Sequence, residues 1–152
     1  MKVRINDEII NRPLHLKLRL DYKGEPQPRF FFGGKTGEKV AEEIREQKVA
    51  LMRNVPFQGI TINDIDMGIE TYCVHDEISG DEVAFAPVNI ELMADDLEDI
   101  IRFIVRDEFR KIDIIEPQEI ILSKHDLERL IFRISEEMRT YRHSLEKKYV
   151  NK

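Results

Sequence analysis

The sequence predicts an α+β fold: a mostly antiparallel sheet with helices packed on one face and a long C-terminal helix. Three observations predict it. Leu14, Leu16, Leu18, Leu20 and Tyr22 alternate with His15, Lys17, Arg19 and Asp21, the period of a half-buried strand. Ala84, Ala86, Val88, Ile90 and Leu92 alternate in the same way with polar and mixed neighbours. Leu97, Ile100, Ile101, Ile104 and Val105, and later Leu127, Ile131, Ile134, Met138, Tyr141 and Leu145, recur at helical spacing. A chain of 152 residues has the size of one domain. The expected division is one α+β domain over 1–138, with 139–152 as the projecting end of the last helix.

The expected element order is β-β-β-α-β-β-β-α-β-α. Val3 and Ile5 begin a short strand that Asn6-Asp7-Glu8 turns. The alternating strand over 14–22 follows, then a Gly/Pro loop, then a strand at Arg29-Phe30-Phe31-Phe32. Gly33 to Gly37 leads into a helix from about Glu38 to Arg53, which Pro56 ends. Ile60 to Ile62 is a short strand. Gly68 to Asp76 and Glu82 to Met93 form a hairpin whose loop takes its positive φ at Gly80. Pro87 has no N–H to donate, so its strand is expected at an edge or with a bulge.

The stretch from Ala94 to Met138 reads as helix, strand, helix. Asp95 to Glu98 and Ser123 to Asp126 both have the form of capping boxes. In the first helix the apolar stripe extends to Ile112 and centres near Glu108, which is expected to pair with Arg129 or Arg133 of the last helix. The last helix carries its apolar residues at spacings of 4, 3, 4, 3 and 4, a heptad seam. Its first half is expected to serve the domain core, and Tyr141, Leu145 and Tyr149 a partner.

Charge is segregated. Residues 1–53 carry +4, residues 54–101 carry −12 with no Lys or Arg at all, and residues 102–152 carry +2, for a net charge of −6. An acidic chain is a poor candidate for nucleic acid, and Lys17, Arg19 and the basic tail stand as the weaker possibility of RNA contact. One cysteine excludes an internal disulfide framework. Met1 to Glu8 has no apolar leader core, and no window approaches 18 apolar residues, so the expectation is a cytoplasmic protein without a membrane span.

Chemistry-bearing motifs are weak. Gly33-Gly34-Lys35-Thr36 sits where a phosphate loop would, but position 29 is Arg where that motif needs Gly. Gly34, Lys35 and Thr36 remain an anion-binding candidate at a helix N-terminus. Asp64, Asp66, Glu70 and Asp76 are the candidate ligands for a divalent cation, without EF-hand spacing. Cys73, His75 and His15 lack zinc spacing, and Cys73 is expected in the core with His75 exposed. No nucleophile–base motif is present. The function expected first is a non-enzymatic interaction or assembly module without a cofactor, a homodimer or a partner-docking protein. The alternative is a small metal- or phosphate-dependent enzyme using the 64–76 segment and Lys35.

Overall fold

The computed structural model describes residues 1–27 and 34–150. The chain runs β1 (Lys2–Ile5), β2 (Glu8–Asn11), β3 (Leu14–Gly24), α1 (Gly37–Asn54), β4 (Ile60–Asp66), β5 (Tyr72–His75) and β6 (Glu82–Ala94). It continues through α2 (Leu97–Ile104), β7 (Phe109–Glu116), β8 (Glu119–Ile120) and α3 (Lys124–Val150). The fold is α+β with antiparallel pairing throughout. One sheet has the order β4-β6-β3-β7, with β5 pairing β6 beside β4, and a small sheet has the order β2-β1-β8. The expected strand at Arg29 to Phe32 lies outside the described residues.

β3 and β6 form the centre. Leu14 pairs Ala94 and the register runs unbroken to Gly24 with Ala84. Every even-numbered side chain of β3 from Leu14 to Tyr22, and of β6 from Ala84 to Ala94, is buried. α1 covers this face with Val40, Ala41 and Val49 buried, and Ile44 and Met52 packed on the core. α2 adds Ile100 and Phe103. α1 starts where Thr36 caps it, its Oγ1 accepting the Lys39 N–H at 3.2 Å. The helix ends at Asn54, ahead of Pro56.

Four local features differ from the sequence expectation, each for a physical reason. Asn6 and Asp7 take positive φ, 49° and 63°, and make a two-residue turn that returns the chain as β2. The strand over 8–11 has no alternation because all four residues are exposed. Pro87 lies in an interior strand, not at an edge. It falls in the gap between β4, whose pairing ends at Asn89, and β5, whose pairing begins at Phe85. Its carbonyl on that side accepts from Arg45 Nη1 at 3.1 Å, and the same nitrogen bonds the Ile69 carbonyl at 2.8 Å. The missing N–H therefore breaks no ladder bond.

α2 is shorter than its apolar stripe suggested. It stops at Ile104, so Glu108 is in the turn before β7 and Ile112 is a strand residue. The α2 N-cap is Asp96, which makes no side-chain capping bond. The second capping box forms as expected. The Ser123 Oγ accepts the Asp126 N–H at 3.1 Å, and Asp126 Oδ2 accepts the Ser123 N–H at 3.0 Å. Those bonds hold the Asp126 carboxyl below the usual carboxylate range. The β5–β6 hairpin turns through Gly80 at φ 75°, as its loop requires.

Two predictions follow from the packing. A β-carbon at Gly24 would lie 2.3 Å from the Ala41 nitrogen and 2.4 Å from the Gly37 carbonyl, because α1 rests directly on the end of β3. Gly24→Ala is expected to cost about 1–3 kcal/mol in urea unfolding, since backbone on both sides must move. Tyr22 is buried, and burial pushes its hydroxyl up to about 12, with Arg106 nearby pulling it down. The folded state holds the neutral phenol, so its stability is full below pH 10 and falls as pH rises towards the folded value. Tyr22→Phe should remove about 2 kcal/mol of that alkaline loss when unfolding midpoints are compared from pH 9 to 12.

Candidate functional surfaces

The second face of the large sheet carries charge. Its rows follow from the register. Asp66, Asn89, Arg19 and Lys111 lie side by side across four strands, and Asp64, Glu91, Lys17 and Asp113 form the next row. Together they line a shallow concavity of about 410 Å³. The acidic block of the sequence thus becomes the β4 side of this face, and the basic residues sit on β3 and β7. A bulge in β4 between Ile62 and Asp64 makes the arrangement possible. Ile60 and Ile62 point inwards, the extra residue shifts the phase, and Ile65 then points inwards with Asp64 and Asp66 outwards. The spacing of the isoleucines, two and then three, is the sequence signal of that bulge.

Some of these charges are paired within the chain. His15 Nε2 and Glu91 Oε1 are 2.7 Å apart, and Lys111 Nζ lies 2.9 Å from Asp113 Oδ2. Among the described residues, Lys17 and Asp64 form no ion pair. At one end of the face lies Asp21, which is 3% exposed. Its Oδ1 accepts from Arg19 Nε at 2.9 Å, its Oδ2 accepts from the Tyr72 hydroxyl at 2.5 Å, and Arg110 Nε stands 3.8 Å away. Tyr72 stacks on Phe85 with ring centroids 5.3 Å apart. Burial, followed by the bond to Asp21, pushes the Tyr72 hydroxyl up. Sequence reasoning did not single out this cluster. The one acidic residue in a run of His15, Lys17, Arg19 and Lys23 was its trace.

Asp64 and Asp66 come together on the concavity, as their spacing suggested, whereas Glu70 and Asp76 do not join them. Asp66 Oδ1 accepts the Gly68 N–H at 2.8 Å. Glu70 is exposed in the β4–β5 loop. Asp76 belongs to the hairpin turn, where its Oδ1 accepts the Ile78 N–H, a bond that lowers its carboxyl's pKa. It stands opposite Asp81, eight residues along the chain from the Asn89 that pairs Asp66, about 26 Å. Among the described residues no three His, Cys, Asp or Glu side chains gather as metal ligands would.

The start of α1 is also occupied by internal contacts. Thr36 caps the helix, and Lys35 Nζ lies 2.8 Å from Glu43 Oε2. Gly34, Lys35 and Thr36 share a concavity with Glu38, Cys73 and Glu82. Cys73 is exposed, not in the core. Its thiol donates to Glu38 Oε1 at 3.2 Å, which raises its pKa and keeps it a thiol, the opposite of an activated nucleophile.

Comparison with protein families, with curated proteins and with solved structures finds no match.

The remaining surface is α3. Its 27 residues span about 40 Å. None of them is buried, and none belongs to the core or to the apolar side chains packed on it. α3 rests on α2 through charges: Glu98 with Arg129 at 3.2 Å and Arg133 at 3.9 Å, and Arg102 with Glu137 at 4.0 Å. The side that faces α2 therefore carries Arg129, Arg133 and Glu137, with Asp126 and Leu130 half-buried on the same side of the helix. The heptad seam lies about a quarter-turn round the helix. Its first half was expected in the core and is instead exposed: Leu127 by 46%, Ile131 by 59%, Ile134 by 38% and Met138 by 65%. Tyr141 and Leu145, expected to be free for a partner, are half-buried, and the Tyr141 hydroxyl donates to Asp107. Tyr149 is 75% exposed.

The Asp21 cluster gives a prediction that separates its parts. Asp21→Asn removes the charge facing Arg19 and Arg110, which are 41% and 38% exposed and regain water in part. The expected cost is about 1–3 kcal/mol in chemical denaturation. Tyr72→Phe, which deletes one hydrogen bond and keeps the stacking, should cost about 0.5–1.5 kcal/mol.

Proposed function

We propose that this protein is an assembly module that associates with a second copy of itself through the exposed seam of α3. The observation that carries this is the exposure of Leu127, Ile131, Ile134 and Met138 on one line of a helix that lends nothing to the core. The 4-3-4-3-4 spacing is the one that keeps an apolar line facing another helix along its length. A fully exposed Leu, Ile or Met is worth about 1.5–3 kcal/mol when buried. These residues are roughly half exposed, so each supplies on the order of 1 kcal/mol per copy, or roughly 8 kcal/mol for the pair. Lost rigid-body freedom takes at least half of that. The balance favours reversible, concentration-dependent association over a permanent dimer.

The polar sheet face presents mainly charged side chains, which favour solvent over an apolar contact. A partner helix of another protein fitting the same seam is the other possible occupant.

Sedimentation equilibrium over protein concentrations up to about 1 mM tests the proposal. The wild-type mass should rise from one chain towards two. Ile131→Glu and Met138→Glu, each placing a charge on the seam and leaving the core untouched, should stay monomeric with unchanged thermal unfolding of the dilute protein. A wild-type chain that remains monomeric throughout refutes self-association and leaves the seam to a different protein.

A further inference from the structure

We infer that the two α3 helices pair in parallel. This rests on the self-association proposed above and adds its orientation. In heptad terms Ile131, Met138 and Leu145 take the a positions, and Leu127, Ile134 and Tyr141 take d. The flanking e positions are Glu128, Ser135 and Arg142, and the g positions include Leu130 and Glu137. Either orientation would stack apolar residues on apolar ones, so the seam does not choose. Two other observations do.

The first is where α2 sits. It lies along the g side of α3, held by the pairs from Glu98 to Arg129 and Arg133 and from Arg102 to Glu137. In an antiparallel pair g faces g, so both α2 helices, each with its own sheet behind it, would crowd onto one side of the same stretch. In a parallel pair the g side of one helix meets the e side of the other. The two domain bodies then stand on opposite sides.

The second is charge. Antiparallel pairing brings Glu137 to Glu137 of the other copy at the half-buried edge, and sets Glu128 opposite Arg142 only at the exposed edge, where the two side chains are 60% and 70% exposed and a pair contributes little. Parallel pairing brings Glu137 to Arg142 of the other copy, twice by symmetry. Arg142 is 70% exposed, and its own contact is with Glu146 at 3.9 Å, an exposed neighbour one turn away. Glu137 is 16% exposed and already faces Arg102 and Arg133, so its carboxylate is held in place at the edge of the seam. The remaining parallel contacts, Ser123 with Glu128, Leu130 with Ser135 and Ser144 with Tyr149, oppose no like charges.

Cysteine cross-linking in a Cys73→Ser background distinguishes the orientations. Ile134→Cys puts a thiol at d, which meets its own counterpart only in a parallel pair. Ser135→Cys puts a thiol at e, which meets its own counterpart only in an antiparallel pair. Mild oxidation at a concentration where the wild type is a dimer should convert Ile134→Cys to a disulfide-linked dimer and leave Ser135→Cys unlinked. Arg142→Glu should weaken the dimer by about tenfold, and Arg142→Lys by about twofold or less. Cross-linking of Ser135→Cys without Ile134→Cys overturns the parallel pairing and leaves self-association through α3 standing. A dimeric mass in which neither variant links and Ile131→Glu still dimerises overturns both, since the contact then lies on another surface.

Discussion

β3 and β6 pair over eleven consecutive residues without a register shift, and that ladder determines where nearly every other group goes. Side chains alternate along a strand, so a slip by one residue would send Leu14, Leu16, Leu18 and Leu20 to the charged face and Lys17 and Arg19 into the core. The apolar penalty alone makes this register strongly preferred. The same alternation creates the rows of charge on the opposite face, so the polar surface is a consequence of the core pattern. α1 and α2 then need only an apolar stripe each to close the buried face, and both have one. Pro87 is tolerated in the middle of this ladder because its carbonyl side opens onto the gap between β4 and β5, where a side chain of α1 takes the place of a strand.

α3 stands apart from that economy. Its helix is favoured locally by a reciprocal capping box and by ion pairs at one-turn spacing, such as Arg133 with Glu137 and Arg139 with Glu136. Each such pair contributes a few tenths of a kcal/mol, and the partly exposed pairs to α2 contribute at most about 1 kcal/mol each. Those terms orient the helix without burying its apolar line. A chain selected only for folding alone would gain from polar residues at Ile131 and Met138.

Much of the architecture was legible because it rests on periodicity. The two central strands, the three helices, the Gly80 hairpin and the Ser123 capping box all announce themselves in spacing and residue type. What was not legible depends on partners distant in sequence. Periodicity stated that Leu127 to Met138 form an apolar line, but could not state that α2 would meet α3 on its charged side. Ile112 continues the spacing of the α2 stripe by coincidence, and so hid the turn at Val105 to Glu108. The Asp64 and Asp66 pair was visible from spacing, while its neighbours Lys17 and Arg19 joined it only through strand order, which no local pattern encodes. Asp21 shows the same limit: its partner Tyr72 is 51 residues away.

The sheet face and the α3 seam differ in the chemistry they offer a partner. The sheet face presents Lys17 and Asp64, which form no ion pair among the described residues, with Glu91 between them and Asp66 and Asn89 in the next row. Covering it would strip water from several charges, each at a cost of several kcal/mol unless met by a well-placed counter-charge. The α3 seam presents apolar side chains whose burial is favourable without any such matching. Complementary charge at the sheet face would steer an approaching molecule, whereas the proposed association draws its free energy from the apolar line of α3. The segregation of charge and the exposed seam are separate features of one chain: the first leaves a charged sheet face, and the second leaves the apolar line of a single helix exposed.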